Sequence, residues 1–572
     1  QHGQPDVLLL HRKGPVEALL PAAPLILTGP ITEWAARLPF ALAGIGVVLA
    51  GYVLATHLWR TLIGATQARQ VGLLVALILA LDGFLIGFAR IVQYQMSAVA
   101  VLGAWLFATV PHNGHRLPPH RALSLCAGAL ALSLLAHYDG VYIVPVLLLL
   151  VLRAGWQQGW RSVRAWLHGL AVPVLLGAGL LASFYVPFVL HEQFSRTAGY
   201  LTGRLAQDGS SGTQAGILTN HLPGYLARAT FYNTTFQVAA VALALLAGVA
   251  AWLGQYLRPR WLALGMLAAW LIGTGGGLWG QLAPLVAGGL VLVPLAALLV
   301  ARATPYALRI VLLWFTVPFW LHSFVISDPR THFYTIALPT ALLAAYAGVR
   351  LWHARPRSGA RRWLTRLPLA GAGAAVVCLA VPYLWLLFLQ QSPEYQREFP
   401  AHRPSLYRAG YGDQLPGGGN FGFPRRDGWP AIGLAYQQGI LNGTYATNQR
   451  DRIAGWYTRG AFTCDLPDTY IVATVAGAQL PAALRRTYAP VGCVLVDNKR
   501  LLSLYQPEPA RPLPAPLQHS AARVDFAALP VPNFPLHDAL AAPAPMHPTD
   551  AAHAQWQAGV RLHGYDVGHW RA

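Results

Sequence analysis

Charge is scarce in this chain. Only 11% of its 572 residues are Asp, Glu, Lys or Arg, where a soluble domain carries about 25%. With 55% hydrophobic residues and a mean hydropathy of +0.42, an ordinary soluble enzyme is excluded. Lysine is almost missing, since every basic residue except Lys13 and Lys499 is arginine. Acidic residues are few too, 21 against 41 basic ones, for a formal net charge of +20. Such a balance can signal nucleic acid. Here much of the arginine sits in short loops between apolar runs, where it fixes orientation and meets anionic lipid, so no nucleic-acid partner is expected. Cysteine is limited to four positions. Cys126 and Cys378 lie inside apolar runs and read as small hydrophobes. Cys464 and Cys493 lie in the polar C-terminal part, as a disulfide if that part is outside the cytosol, or as two free buried thiols. No cysteine spacing and no compact His/Asp/Glu set marks a metal centre. No metal ligand is assigned, and use of a divalent metal is left open.

Long apolar runs are abundant. From about Leu38, twelve candidate spans follow: 39–56, 71–88, 96–110, 122–136, 140–152, 170–190, 234–253, 262–279, 282–301, 308–326, 334–350 and 368–389. Runs of this length cross bilayers, so the fold class is a polytopic α-helical membrane protein. Residues 1–38 are apolar but broken by Pro21 and Pro24 and carry Glu17, which suits an outer loop with interfacial helices. No signal peptide is read in them, and the natural beginning of the chain is expected upstream.

Arginine sets the orientation. Alternate loops, beginning after the first span, hold seventeen arginines, from Arg60 to the cluster Arg350–Arg366, and the other loops hold five. The positive-inside rule puts the first set in the cytoplasm. The N-terminal segment, the stretch after Arg90, "HYDG" (137–140), the 191–233 loop, "SDPRTHF" (327–333) and everything after 390 then face outside.

Composition changes after Phe388. Pro, Gly, Tyr and Asp become common, and "TYIVATV" and "GCVLVDN" read as strands. Residues 390–508 are expected to form an extracytoplasmic mixed α/β domain, and 509–572 a Pro/Ala-rich linker and tail.

Polar groups inside apolar stretches are costly and mark function or capped helix ends. On the expected outer side these are Arg12, Lys13 and Arg37 near the start; Arg90, Tyr94 and Gln95; His137 and Asp139; and Arg330, His332 and Tyr334. Each has a bland reading: Arg90 can snorkel, and His137 can pair with Asp139 in a tight turn. Together they suit one outer cavity, with cations for a phosphate and carboxylates or histidines for proton transfer.

The order of motifs resembles a known family. "HRKGPVEALLPAAPLILTGPITEWAARLPFALAG" (11–44) and "SDPRTHFYTIALPTALLAA" (327–345) are similar to the first outer loop and the late motif of GT-C glycosyltransferases of the protein mannosyltransferase and aminoarabinose transferase type. The resemblance covers roughly residues 8–390. It implies a GT-C-like bundle with one further span upstream, and transfer of a sugar from a polyprenyl-phosphate carrier, with membrane lipid as the second partner, to an extracytoplasmic acceptor. It implies that Lys13 contacts the carrier phosphate, with Arg90 and Arg330 as further cations, and that Arg37 and Tyr334 line the cavity. Gly14 departs from the family's Lys-Pro pair. Gln95 stands where relatives carry Asp, and an amide cannot act as a base. The resemblance also implies a catalytic acid upstream of the Lys motif, where only Asp6 precedes Lys13, so the catalytic carboxylate is expected upstream of Gln1, with Asp139 and Asp6 as the candidates present. Rival readings are a flippase of lipid-linked sugars, against which the lack of internal repeats speaks, and a non-catalytic scaffold.

Overall fold

An apolar segment surrounded by lipid can satisfy its backbone only by coiling into a helix, and the apolar runs are helices. The computed structural model describes residues 14–28, 33–92, 119–192, 218–327, 331–354, 360–390, 403–408, 428–449, 451–458, 466–474, 479–518, 550–555 and 561–565, together with 9, 194, 195, 197–199, 329, 399 and 463. Among them are α1 (Val16–Thr28), α2 (Glu33–Ala80), α3 (Gly83–Ala89), α4 (Pro119–Ala136), α5 (Val144–Gln157), α6 (Val163–Leu190), α7 (Leu222–Tyr232), α8 (Thr235–Tyr256), α9 (Arg260–Leu278), α10 (Pro284–Val300), α11 (Tyr306–Trp320), α12 (Ala337–His353) and α13 (Ala360–Leu384). Eight of the described helical segments are long and apolar enough to cross a membrane, and Arg121–Ala136 and Pro284–Val300 are shorter apolar helices. The expected spans fall on these helices, except 96–110, which lies outside the described residues. At about 1.5 Å per residue, the 48 residues of α2 are too many for one crossing. The helix breaks at Gly64 (φ 80°, ψ 164°), between Arg60 and Arg69, so two expected spans share it.

The chain forms two compact units, Gln1–Arg425 and Arg426–Ala572. In the first, Tyr306–Val325 and His332–His353 are central. Each has 61% of its most apolar window buried, against 17–28% for the other crossing segments. The peripheral helices turn Leu175, Trp261 and Val300 outward, a surface suited to lipid and not to water.

Contacts between helix ends sort into two faces. On one face, the Asn220 side chain donates to the Gly277 carbonyl (2.5 Å). Gly83 N–H donates to Asn233 (2.8 Å), and the Tyr383 hydroxyl to the Phe231 carbonyl (2.5 Å). Buried Arg403 joins them. Its guanidinium donates to the carbonyls of Thr230, Phe231 and Tyr407 at 3.3–3.5 Å and lies 5.4–5.6 Å from the rings of Phe231, Tyr383 and Phe399. On the other face, Arg153 stacks over Tyr306 (3.6 Å), Trp59 stacks on Tyr346 (4.0 Å), and His353 meets Gln70 (2.7 Å). The first face gathers segments that the arginine pattern puts outside; the second gathers those it puts inside.

The second unit carries a five-stranded sheet in the order β1 (Tyr445–Thr447), β2 (Thr469–Ala473), β4 (Lys499–Pro507), β3 (Tyr488–Val496), β5 (Leu517–Gln518). The β3–β4 hairpin turns through Asp497 and Asn498, both at positive φ, as a two-residue hairpin turn of this hand requires. Trp429 of α14 (Trp429–Gln437) and Tyr445 anchor its core. Cys493 on β3 is a free, half-buried thiol, and Cys464 lies outside the described residues. The tail contributes a two-stranded ribbon, β6 (Asp550–Gln555) with β7 (Arg561–Tyr565).

The departure at Gly14 has a physical reason. Gly14 sits at φ +126°, and a Cβ there would lie 2.2 Å from the Leu135 carbonyl oxygen. Chain and α4 touch backbone to backbone, which only glycine permits. Gly14→Ala is expected to cost about 1–3 kcal/mol, read as a fall in melting temperature of the solubilised protein. Gly64→Ala, where nothing lies within 4 Å and only the glycine-favouring backbone angles oppose a side chain, should fall at the lower end of that range.

Candidate functional site

The "HYDG" stretch ends α4 and opens a tight 3₁₀ turn, Tyr138–Ile143, before α5. His137 caps that turn: its Nδ1 accepts the Asp139 backbone N–H at 3.1 Å. Capping forces the imidazole back over the turn and brings the Asp139 carboxylate beside it, with Oδ2 at 3.3 Å from the same Nδ1. A second 3₁₀ turn, His332–Ile336, leads into α12. It places His332 Nδ1 at 2.5 Å from Asp139 Oδ2, so that Nδ1 carries the proton facing the carboxylate. The three side chains are buried, at 0%, 2% and 6% exposure for His137, Asp139 and His332. Their ligand atoms all lie within 4.8 Å of one another.

Aromatic rings wall this cluster. Tyr138 lies 3.8 Å from the His137 ring and 6.0 Å from His332. His322 is buried on the wider helical turn Leu321–Val325 that ends α11. It is 5.9 Å from His332, with Tyr142 edge-on to it at 4.8 Å. Tyr334 lies 6.4 Å from His332 and packs on Phe88. Tyr225 of α7 covers Phe333 at 4.6 Å.

A second polar group lies at the start of α3. Asp82 caps that helix, accepting from Phe84 N–H (2.9 Å) and Leu85 N–H (3.4 Å). Asn233 donates to the same carboxylate oxygen at 3.5 Å, and Gln237 donates to the Leu81 carbonyl at 2.7 Å. These bonds tie the α2–α3 break to the junction of α7 and α8.

Of the residues singled out in the sequence, His137, Asp139 and His332 come together, with Tyr334 at their edge. Arg90 lies over the Phe388 ring at 5.2 Å. Arg37 pairs with Glu33 at 2.8 Å, one turn earlier on α2. Asp6, Arg12, Lys13, Tyr94, Gln95 and Arg330 lie outside the described residues. Sequence reasoning missed His322, although a histidine within the apolar run "FWLHSFV" is itself a signal. It also missed the metal-capable donor set, because His332 is 193 residues from Asp139 and no local spacing reveals such a pair. A cavity of about 260 Å³ between α9 and α10 is lined by apolar residues such as Trp261, Met266 and Val293.

No known protein family matches the sequence, and no curated protein does. The chain is similar in fold to two solved structures. One is ArnT from Cupriavidus metallidurans bound to undecaprenyl phosphate, with a TM-score of 0.45, 14% identity, and coverage of 86% of this chain and 88% of that one. The other is the same protein in its apo state, with a TM-score of 0.40, 13% identity, and 86% and 87% coverage. At these values no residue role passes from ArnT to this chain, and the site is read from its own residues.

Removing the carboxylate takes away the ionic partner that the two buried imidazoles share. Asp139→Ala is expected to destabilise the bundle by about 3–5 kcal/mol, and Asn233→Ala by about 1–3 kcal/mol. Thermal unfolding of the solubilised variants measures both.

Proposed function

We propose that this chain is a membrane glycosyltransferase that moves a sugar from a polyprenyl-phosphate carrier to an acceptor outside the cytoplasm. The observation that supports this reading is the Asp139 carboxylate held between two imidazoles, at a bundle face that the arginine pattern assigns to the outside. A buried ionic cluster in a membrane protein is costly and marks chemistry. The motif resemblance at residues 11–44 and 327–345 supplies the class of reaction.

In this reading the carrier's isoprenoid tail stays in the bilayer and its phosphate rests on Lys13, Arg90 and Arg330. The acceptor's hydroxyl or amine attacks the anomeric carbon and loses a proton to a base. The bond from that carbon to the phosphate oxygen breaks, and polyprenyl phosphate leaves with the electron pair. Developing charge on the leaving phosphate is what the cations stabilise. The Asp139 cluster serves the acceptor side, where a proton must be accepted. Residues 390–508 lie outside in this reading.

Incubation of the purified protein with labelled polyprenyl-phosphate sugars, with free polyprenyl phosphate as the readout, tests this. Release is expected with at least one donor, and Lys13→Ala should slow it by about 10²-fold. If no donor in a panel of hexosyl and pentosyl carriers is consumed, the reading fails.

A further inference from the structure

We propose that His137, Asp139 and His332 bind a divalent first-row transition metal, with Zn²⁺ as the occupant. Two imidazole nitrogens and one carboxylate oxygen suit Zn²⁺ and its neighbours. They do not suit Ca²⁺ or Mg²⁺, which take shells of oxygen. The three donor atoms converge from two turns far apart in the chain to within 4.8 Å of one another. Each of the two turns that carry them is fixed by its own backbone: His137 N–H bonds to the Ser133 carbonyl at 2.8 Å and His332 N–H to the Pro329 carbonyl at 2.9 Å.

Metal binding replaces the hydrogen bonds inside this cluster, as ligation by groups that must be deprotonated does: His332 Nδ1 gives up the proton it holds towards Asp139 Oδ2 at 2.5 Å, the His137 Nδ1 lone pair turns from the Asp139 backbone N–H to the ion, and Asp139 Oδ2, 3.3 Å from that nitrogen, becomes the shared oxygen ligand. Three protein donors also leave a coordination position open, the arrangement of zinc sites that act on substrates. The aromatic wall of Tyr138, Tyr142 and His322 limits the access of water to it.

The proposal does not depend on glycosyl transfer, because metal content is read directly. Its competitor is a cluster that stays metal-free, with Asp139 simply hydrogen-bonded between two histidines. The test uses the full chain with the tail histidines His537, His547, His553, His563 and His569 replaced by alanine, to remove competing ligands. The protein is stripped with a chelator and titrated with Co²⁺ alone. One equivalent should bind, with the visible absorption of four- or five-coordinate Co²⁺, and should raise the melting temperature.

Asp139→Asn should weaken binding by more than about 100-fold, the upper end of what losing an outer-shell partner alone does, and should abolish the thermal shift. His332→Cys offers a readout that does not depend on loss: it should keep the metal and add a thiolate-to-cobalt charge-transfer band. The absence of stoichiometric Co²⁺ binding, or binding that is indifferent to Asp139→Asn and shows no thiolate band in His332→Cys, would overturn the proposal.

Discussion

Where lipid replaces water, a polar group must find its partner inside the protein, because nothing outside can serve. Most of this chain obeys by avoiding such groups. One exception is Asp139, which is held by imidazoles on both sides. That arrangement dictates much of the surrounding architecture. His332 can reach Asp139 only if the start of α12 lies against the α4–α5 junction. The central position of the two most buried segments, Tyr306–Val325 and His332–His353, follows from the same need. Their apolar sides then pack the peripheral helices, whose remaining surface faces lipid.

The irregular turns fit this account. The 3₁₀ turns 138–143 and 332–336 and the wider turns 321–325 and 385–389 all sit at helix ends on one face of the bundle. Helical geometry that departs from the regular form re-aims side chains and leaves some backbone groups without the usual partner. It is tolerated at membrane depth only where protein encloses it. Here such turns deliver His137, Asp139, His322 and His332 into one enclosed space. Asp82 and Asn233 bind the α2–α3 break to α7 and α8 beside it, so the enclosure is braced from a second side.

The parts of this that the sequence carried are those written locally. Apolar run length located the helices, and alternating arginine divided the loops into two sets that the tertiary contacts keep apart. "HYDG" and "THFY" were legible as sites of unexpected polarity. Their meeting was not, since a pairing across 193 residues leaves no trace in composition or spacing. The same limit hid the metal-capable donor set. Gly14 was visible only as an interruption of a motif. Its reason, the backbone of α4 lying where a Cβ would be, exists only in the folded chain. The break of α2 at Gly64 was masked for another reason: helix continuity across the turn between Arg60 and Arg69 looks, in sequence, like two spans and a loop.

Two buried ionic centres stand on the same face, and their difference separates scaffold from chemistry. The Arg403 guanidinium meets three carbonyls and three ring faces. Its fixed fork of donors joins residues 403–408 to α7 and, through the ring of Tyr383, to α13. The His137–Asp139–His332 centre is built from groups that exchange protons and ligate metals. Imidazole offers a second nitrogen after the first is engaged, and the carboxylate is shared between two partners. A purely structural link at that place is achieved more cheaply by well-packed apolar residues. Keeping three ionisable side chains there, behind aromatic walls and on turns that deviate from regular helix, makes sense when the centre has to bind or react.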